Sequence, residues 1–305
     1  MTQAAFQAFK AFNFDETEVY LWVFKRTSKF TARHVTADPA LQTALRNFAK
    51  AGQARVVEQV PYSHLAQTNE NSCLSVSIGD TSFGLVKEVV DQPEPENHVT
   101  EEKELLNSTG YLVKFVKGDE VLYAMRRSSS NWKTSYSKKN RLNVFFKNGM
   151  LSAAEEREFT LDPNFDMFVL GDNIWVTNKP GFESILQYKT PYVDAFAQLR
   201  ELPEFVAIFT DMSPLVEHVG SNTIHLRRMA VIQERSIYQD PVFLASVKAV
   251  ALKRGLGIQF DDEGKIVPTA ESAGLIMQIL LDHVLVSEVT QHMYSVISDA
   301  VRMDG

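Results

Sequence analysis

The chain has 305 residues, 45% of them hydrophobic, enough to bury a full core and to build two lobes rather than one. No window approaches the roughly 18 continuous apolar residues of a membrane span, and the first residues lack the basic-then-apolar pattern of a secretory signal. Cys73 is the only cysteine, which excludes a disulfide framework or a thiolate metal cluster and leaves a small buried side chain in a cytoplasmic protein as the expectation. The formal net charge of −7 argues against indiscriminate polyanion binding, but the charge is unevenly spread. Residues 1–120 carry net −4, residues 155–305 carry net −10, and residues 121–154 hold seven basic and no acidic side chains. An acidic body with one concentrated positive segment is the pattern of local, directed polyanion contact.

The first third reads as mixed α/β. Val19, Tyr20, Leu21, Trp22, Val23 and Phe24 predict a buried strand within 18–29. Asp38-Pro39 supplies an N-cap and a first-turn proline for a helix through Leu41, Ala44, Leu45 and Phe48 that is expected to end near Gly52. Strands are expected at 56–60, 74–78 and 83–90. Residues 88–104 then hold seven acids, one lysine, Pro93 and Pro95, the composition of a solvated connection.

The middle reads as antiparallel hairpins. Strands at 111–116 and 121–125 flank the turn Lys117-Gly118-Asp119-Glu120. A strand at 141–146 ends at Asn148-Gly149, and strands at 166–170 and 174–177 flank Gly171-Asp172-Asn173. From Pro180 the period becomes helical. Asp240-Pro241 opens a helix stopped at Lys253-Arg254-Gly255, and a short hairpin joins 257–260 to 265–267. Two closing helices are expected, with faces Leu275, Ile276, Ile279, Leu280 and then Val289, Met293, Val296, Ile297, Ala300. The fold class is therefore α+β: an N-terminal mixed α/β lobe over 1–105, then 106–305 with central antiparallel β hairpins and a helical C-terminal lobe.

Arg126, Arg127, Lys133, Lys138, Lys139, Arg141 and Lys147 fall within 22 residues, interleaved with serines, asparagine, Trp132 and Tyr136. Arginine and lysine supply charge, hydroxyls and amides supply further donors, and Trp132 or Tyr136 can stack on a base or sugar. The competing reading is a solvated loop balancing the acidic C-terminal lobe, or an interaction module docking on a protein or lipid surface. A weaker positive site is Arg227-Arg228 beside His225, whose plainer reading is surface arginines paired with acids. No helix-turn-helix, zinc-finger spacing or glycine-rich RNA-binding motif accompanies either site, so sequence readout is not expected.

Phosphate-loop, serine-elbow and HExxH motifs are absent from the sequence, and no cofactor is expected. Asp262-Glu263-Gly264-Lys265 superficially resembles the acidic-x-Lys element of metal-dependent nucleases, but it occupies a hairpin tip where such residues are ordinary turn chemistry. A non-enzymatic protein is the expectation, with a nuclease as the alternative.

Gly181-Phe182-Glu183-Ser184-Ile185 after a hairpin, Arg227-Arg228-Met229-Ala230 in a helix, and the run from Leu281-Asp282-His283-Val284 to Tyr294 together resemble, in order and spacing, the KwaB subunit family of the Kiwa anti-phage defence system. The resemblance covers most of 110–305. It implies a cytoplasmic, DNA-binding defence effector that forms a homodimer and works with KwaA, an integral membrane subunit able to recruit it to the inner membrane. Preference for DNA over other polyanions rests on this resemblance; the residues themselves specify only a polyanion.

Overall fold

The computed structural model describes residues 3–91, 98–105, 108–128, 144–147, 150–153, 161–188, 190–287 and 289–296. The chain divides into two compact units, Met1–Pro61 with Thr68–Tyr188, and Tyr62–Gln67 with Lys189–Gly305.

In the first unit, helix α1 (Gln3–Ala11) precedes strands β1 (Glu18–Arg26) and β2 (Phe30–Val35), helix α2 (Pro39–Arg55), and strands β3 (Glu58–Pro61) and β4 (Ser72–Ser77). Helix α3 (Phe83–Val90) leads to β5 (Gly110–Lys117) and β6 (Glu120–Arg127). Then come β7 (Val144–Lys147), β8 (Met150–Ala153), β9 (Met167–Leu170), β10 (Asn173–Val176) and helix α4 (Lys179–Ile185). Eight strands form one sheet in the order β2-β1-β5-β6-β9-β10-β4-β3. Every neighbouring pair is antiparallel except β3 and β4. The expected hairpins β5–β6 and β9–β10 are present, with Gly118 and Gly171 supplying the left-handed backbone of their turns. Strands on both sides of residue 105 share this sheet, because β5 adds to β1 and β10 adds to β4.

One sheet face is covered by α1 and α2 through an aromatic core: Phe9 stacks on Trp175 at 4.6 Å and packs on Phe168 at 5.4 Å, beside Phe6, Phe14 and Phe115. Asp38 caps α2 as expected, its Oδ1 accepting the Leu41 N–H at 2.7 Å. The helix runs on past Gly52 to Arg55. Gly52 marks a close approach rather than a stop, since a Cβ there would lie 2.8 Å from the Phe168 ring. On β6, Tyr123 alternates with Leu122 and Ala124 and so faces the other way, where Phe83 of α3 meets it edge-on at 5.4 Å.

The expectation of a strand at 83–90 is overturned. Phe83, Val86 and Val90 are buried while Leu85 is exposed, a helical spacing that a near-continuous apolar run conceals.

The second unit holds helices α5 (Thr190–Leu199), α6 (Pro203–Val206), α7 (Ser213–Val219), α8 (Thr223–Arg235), α9 (Pro241–Arg254) and α10 (Ala273–Leu280). Two hairpins accompany them, β11 (Gln259–Phe260) with β12 (Ile266–Val267) and β13 (Val284–Val286) with β14 (Met293–Ser295). Phe205, Leu215, Met229, Ile232, Tyr238 and Met277 lie in its core. The last expected helix is replaced, over the described residues, by β13–β14. Asp282 and Gln291 adopt left-handed backbone at φ 57° and 58°, which interrupts a right-handed helix on either side of that stretch. Ile297 and Ala300 lie outside the described residues.

Candidate nucleic-acid interface

Strands β6 and β9 are neighbours whose last paired residues at this end are Met125 and Met167. The chain thus passes Ser128 at the end of β6 and re-enters beside the same strand at Asp166, and the stretch between these two feet is called the excursion. The basic segment lies on this excursion, and the structure gives it a buried base.

The base is built from chain-distant residues. Asp166 is fully buried, and its carboxylate accepts from Arg126 Nη1 and from the Arg127 backbone N–H, both at 2.6 Å. Arg126 also pairs with Asp162, whose carbonyl accepts the Tyr111 hydroxyl. Backbone bonds close the two feet, from Asp166 N to Met125 O at 2.8 Å and from Ser128 N to Thr109 O at 2.9 Å. The Asp166 carbonyl accepts the Thr177 and Asn178 N–H groups at 2.9 and 3.0 Å, tying the same residue to the start of α4. Gly181 completes the seat, because a Cβ there would sit 2.2 Å from the Asp166 carboxyl carbon.

Burial pushes the Asp166 carboxyl above its ordinary range, opposed by the Arg127 N–H and the Arg126 guanidinium. Burial also weighs against charge on Arg126, but its two carboxylate partners outweigh it and hold the guanidinium more firmly protonated. Both Asp166 oxygens and both terminal Arg126 nitrogens are engaged, while Arg126 Nε is buried with no hydrogen-bond partner among the described residues. Beside it opens a polar cavity of about 590 Å³, lined by Arg55, Arg126, Asn69, Asn164 and Asn178 among others.

Of the residues singled out from the sequence, Arg126 and Arg127 are described at this base. Arg126 is committed to the clamp, whereas Arg127 is exposed at the mouth of the excursion. Trp132, Lys133, Tyr136, Lys138, Lys139 and Arg141 lie outside the described residues, as does the side chain of Lys147, whose backbone closes β7. Strand β7, which overlaps the strand expected at 141–146, pairs with β8 from Val144↔Ala153 to Lys147↔Met150.

Arg227 and Arg228 belong to the other unit. The Arg227 guanidinium stacks 5.0 Å over the Tyr192 ring, and its Nη1 donates to the His64 carbonyl at 3.2 Å. Arg228 is half-buried near His218, whose ring stacks on His225 at 4.5 Å. Burial, His225 and Arg228 all depress the His218 pKa.

The Asp262-Glu263-Gly264-Lys265 stretch forms the β11–β12 turn, with Lys265 paired to Glu263 at 2.8 Å and Gly264 at φ 85°. Among the described residues no three His, Cys, Asp or Glu side chains converge as a metal site. Asp162 and Asp166 were not anticipated as part of the site. The available signal was an acid placed directly before the apolar run Met167–Leu170, where only a paired carboxylate can enter a sheet interior.

Fold and site together define an α+β protein in which a basic excursion is anchored by a buried ion-pair clamp. A model of the family described as Kiwa protein KwaB-like matches residues 105–290, more than half of the chain, and the chain belongs to that family. It is thus a subunit of a Kiwa anti-phage defence system, which operates with partner subunits. The match spans both feet of the excursion, Gly181–Ile185, Arg227–Ala230 and the run from Leu281 to Thr290. No curated protein and no solved structure matches the chain. Among the described residues no helix is long and apolar enough to cross a membrane.

Proposed function

We propose that the protein is the DNA-binding effector of its Kiwa system, gripping the nucleic-acid backbone through the basic excursion without reading sequence and so impeding phage DNA replication or transcription. The observation that carries this reading is the concentration of seven basic and no acidic side chains in residues 121–154, a segment that begins on β6 and runs on beyond the Arg126–Asp166 clamp. Binding elements anchored on a rigid scaffold lose less freedom on engaging a ligand. A homodimer would offer two such excursions to one duplex, and the integral membrane subunit KwaA would recruit the complex to the inner membrane.

Arg126 is left intact in the test because it holds the clamp. Neutralising Lys133, Lys138, Lys139 and Arg141 together should weaken binding to unrelated duplexes about equally. It should also lower the slope of log K against log salt by up to roughly 3 to 4, near 0.9 for each phosphate that is no longer neutralised. Affinity and slope unchanged in a folded variant would refute the assignment. Plasmid incubated with the protein and Mg²⁺ or Mn²⁺ should remain intact; cleavage abolished by Glu263→Gln would favour a nuclease instead.

A further inference from the structure

Histidines 34 and 98 are far apart in sequence but meet at the exposed edge of the large sheet. His34 lies on edge strand β2, opposite Trp22 of β1, and its ring is held edge-on to Trp22 at 5.1 Å with Tyr20 at 6.1 Å. His98 is brought alongside by a parallel bridge to His34 and by the Val99 N–H donating to the His34 carbonyl at 2.9 Å. Glu104 reinforces this docking: it pairs with Arg33 and accepts the Thr100 and Glu101 N–H groups at 2.8 and 3.2 Å. The two rings stand nearly perpendicular, at 79°, and their Nδ1 atoms are 3.4 Å apart.

That separation has a chemical meaning. Zn²⁺ binds imidazole nitrogen at about 2.0–2.1 Å, and two such ligands in a tetrahedral shell stand about 3.3–3.4 Å apart. Imidazole nitrogens favour the late first-row divalent ions over Mg²⁺ or Ca²⁺. The charge of Arg33, the residue before His34 on β2, is offset by Glu104.

From this geometry we infer that His34 and His98 form a binding site for a divalent transition-metal ion of the zinc type, held through the two Nδ1 atoms. No third His, Cys, Asp or Glu joins them among the described residues, so the other positions are open to water. The ion would fasten the chain at residue 98 to β2 and cover part of an edge strand that otherwise presents unpaired backbone groups. The site is separate from the basic excursion and does not depend on the DNA-binding reading.

The test uses the full chain, stripped of metal, titrated with Zn²⁺ by calorimetry and followed by thermal melting. Zn²⁺ should bind and raise the melting temperature of the parent protein. His34→Gln and His98→Gln should each weaken that binding roughly 10–100-fold, at least the effect of losing an outer-shell partner. His292→Gln should leave it unchanged. Cu²⁺ on the parent protein should show paramagnetic coupling to two nitrogens, reduced to one in His98→Gln. No Zn²⁺ uptake by the parent protein, or uptake that survives either substitution, would overturn the proposal, because a simple N–H···N bond between the rings gives neither signal.

Discussion

Two Arg-Arg pairs, Arg126-Arg127 at the end of β6 and Arg227-Arg228 within α8, read almost alike in sequence but occupy opposite environments. A strand turns successive side chains to opposite faces, so Arg126 enters a pair of carboxylates while Arg127 is exposed. A helix turns them by about 100°, and both Arg227 and Arg228 are half-buried, against Tyr192 in one case and near His218 in the other. The lesson is that a cluster of arginines is not one resource. One residue of the first pair holds the architecture and the other is exposed, whereas in the second pair Arg227 is engaged by the Tyr192 ring and the His64 carbonyl and Arg228 is half-buried.

Breaking the first pair should have the largest effect. Arg126→Ala strands the buried Asp166 carboxylate and should cost about 3–5 kcal/mol in denaturant unfolding, whereas Asp166→Ala leaves Arg126 its Asp162 partner and should cost less. Arg127→Ala should change stability by no more than about 0.5 kcal/mol, as expected of an exposed position. Equal losses at 126 and 127 would dissolve the contrast. In the second pair, Arg227→Ala removes a ring contact and one hydrogen bond, so a loss of about 1–2 kcal/mol is expected by the same measurement.

The smallest effect is a pH dependence. The His218 pKa is lowered in the folded state by burial, His225 and Arg228, so folding favours the neutral ring. Its contribution is fully present above the ordinary value of 6.5 and is lost as the pH falls below it. The unfolding midpoint should therefore drop between about pH 7.5 and pH 5.5, and His218→Gln should flatten that drop. An unaltered slope would remove His218 from the account.

Much of the local structure was legible in the sequence because it depends on local chemistry. Asp38-Pro39 and Asp240-Pro241 open helices, with Asp240 Oδ1 accepting the Val242 N–H at 2.8 Å, and Gly118 and Gly171 turn the two hairpins. The signal failed where periodicity was ambiguous. The Phe83–Val90 run is apolar enough to suit a buried strand or a helix, and the spacing of Val289, Met293 and Val296 suited a helix until Asp282 and Gln291 broke it.

Composition and order along the chain determined that this is an α+β protein with one strongly basic segment, family-like motifs in its C-terminal two-thirds and a single cysteine, Cys73, which is indeed buried. They could not determine which charges remain available. Arg126 reaches Asp162 and Asp166 across 36 and 40 positions of sequence, and His34 reaches His98 across 64. The first exists because β6 and β9, distant in the chain, become hydrogen-bonded neighbours in one sheet, and the second because residue 98 bridges to edge strand β2. Only that pairing decides whether a charged side chain is spent inside the fold or left for a ligand.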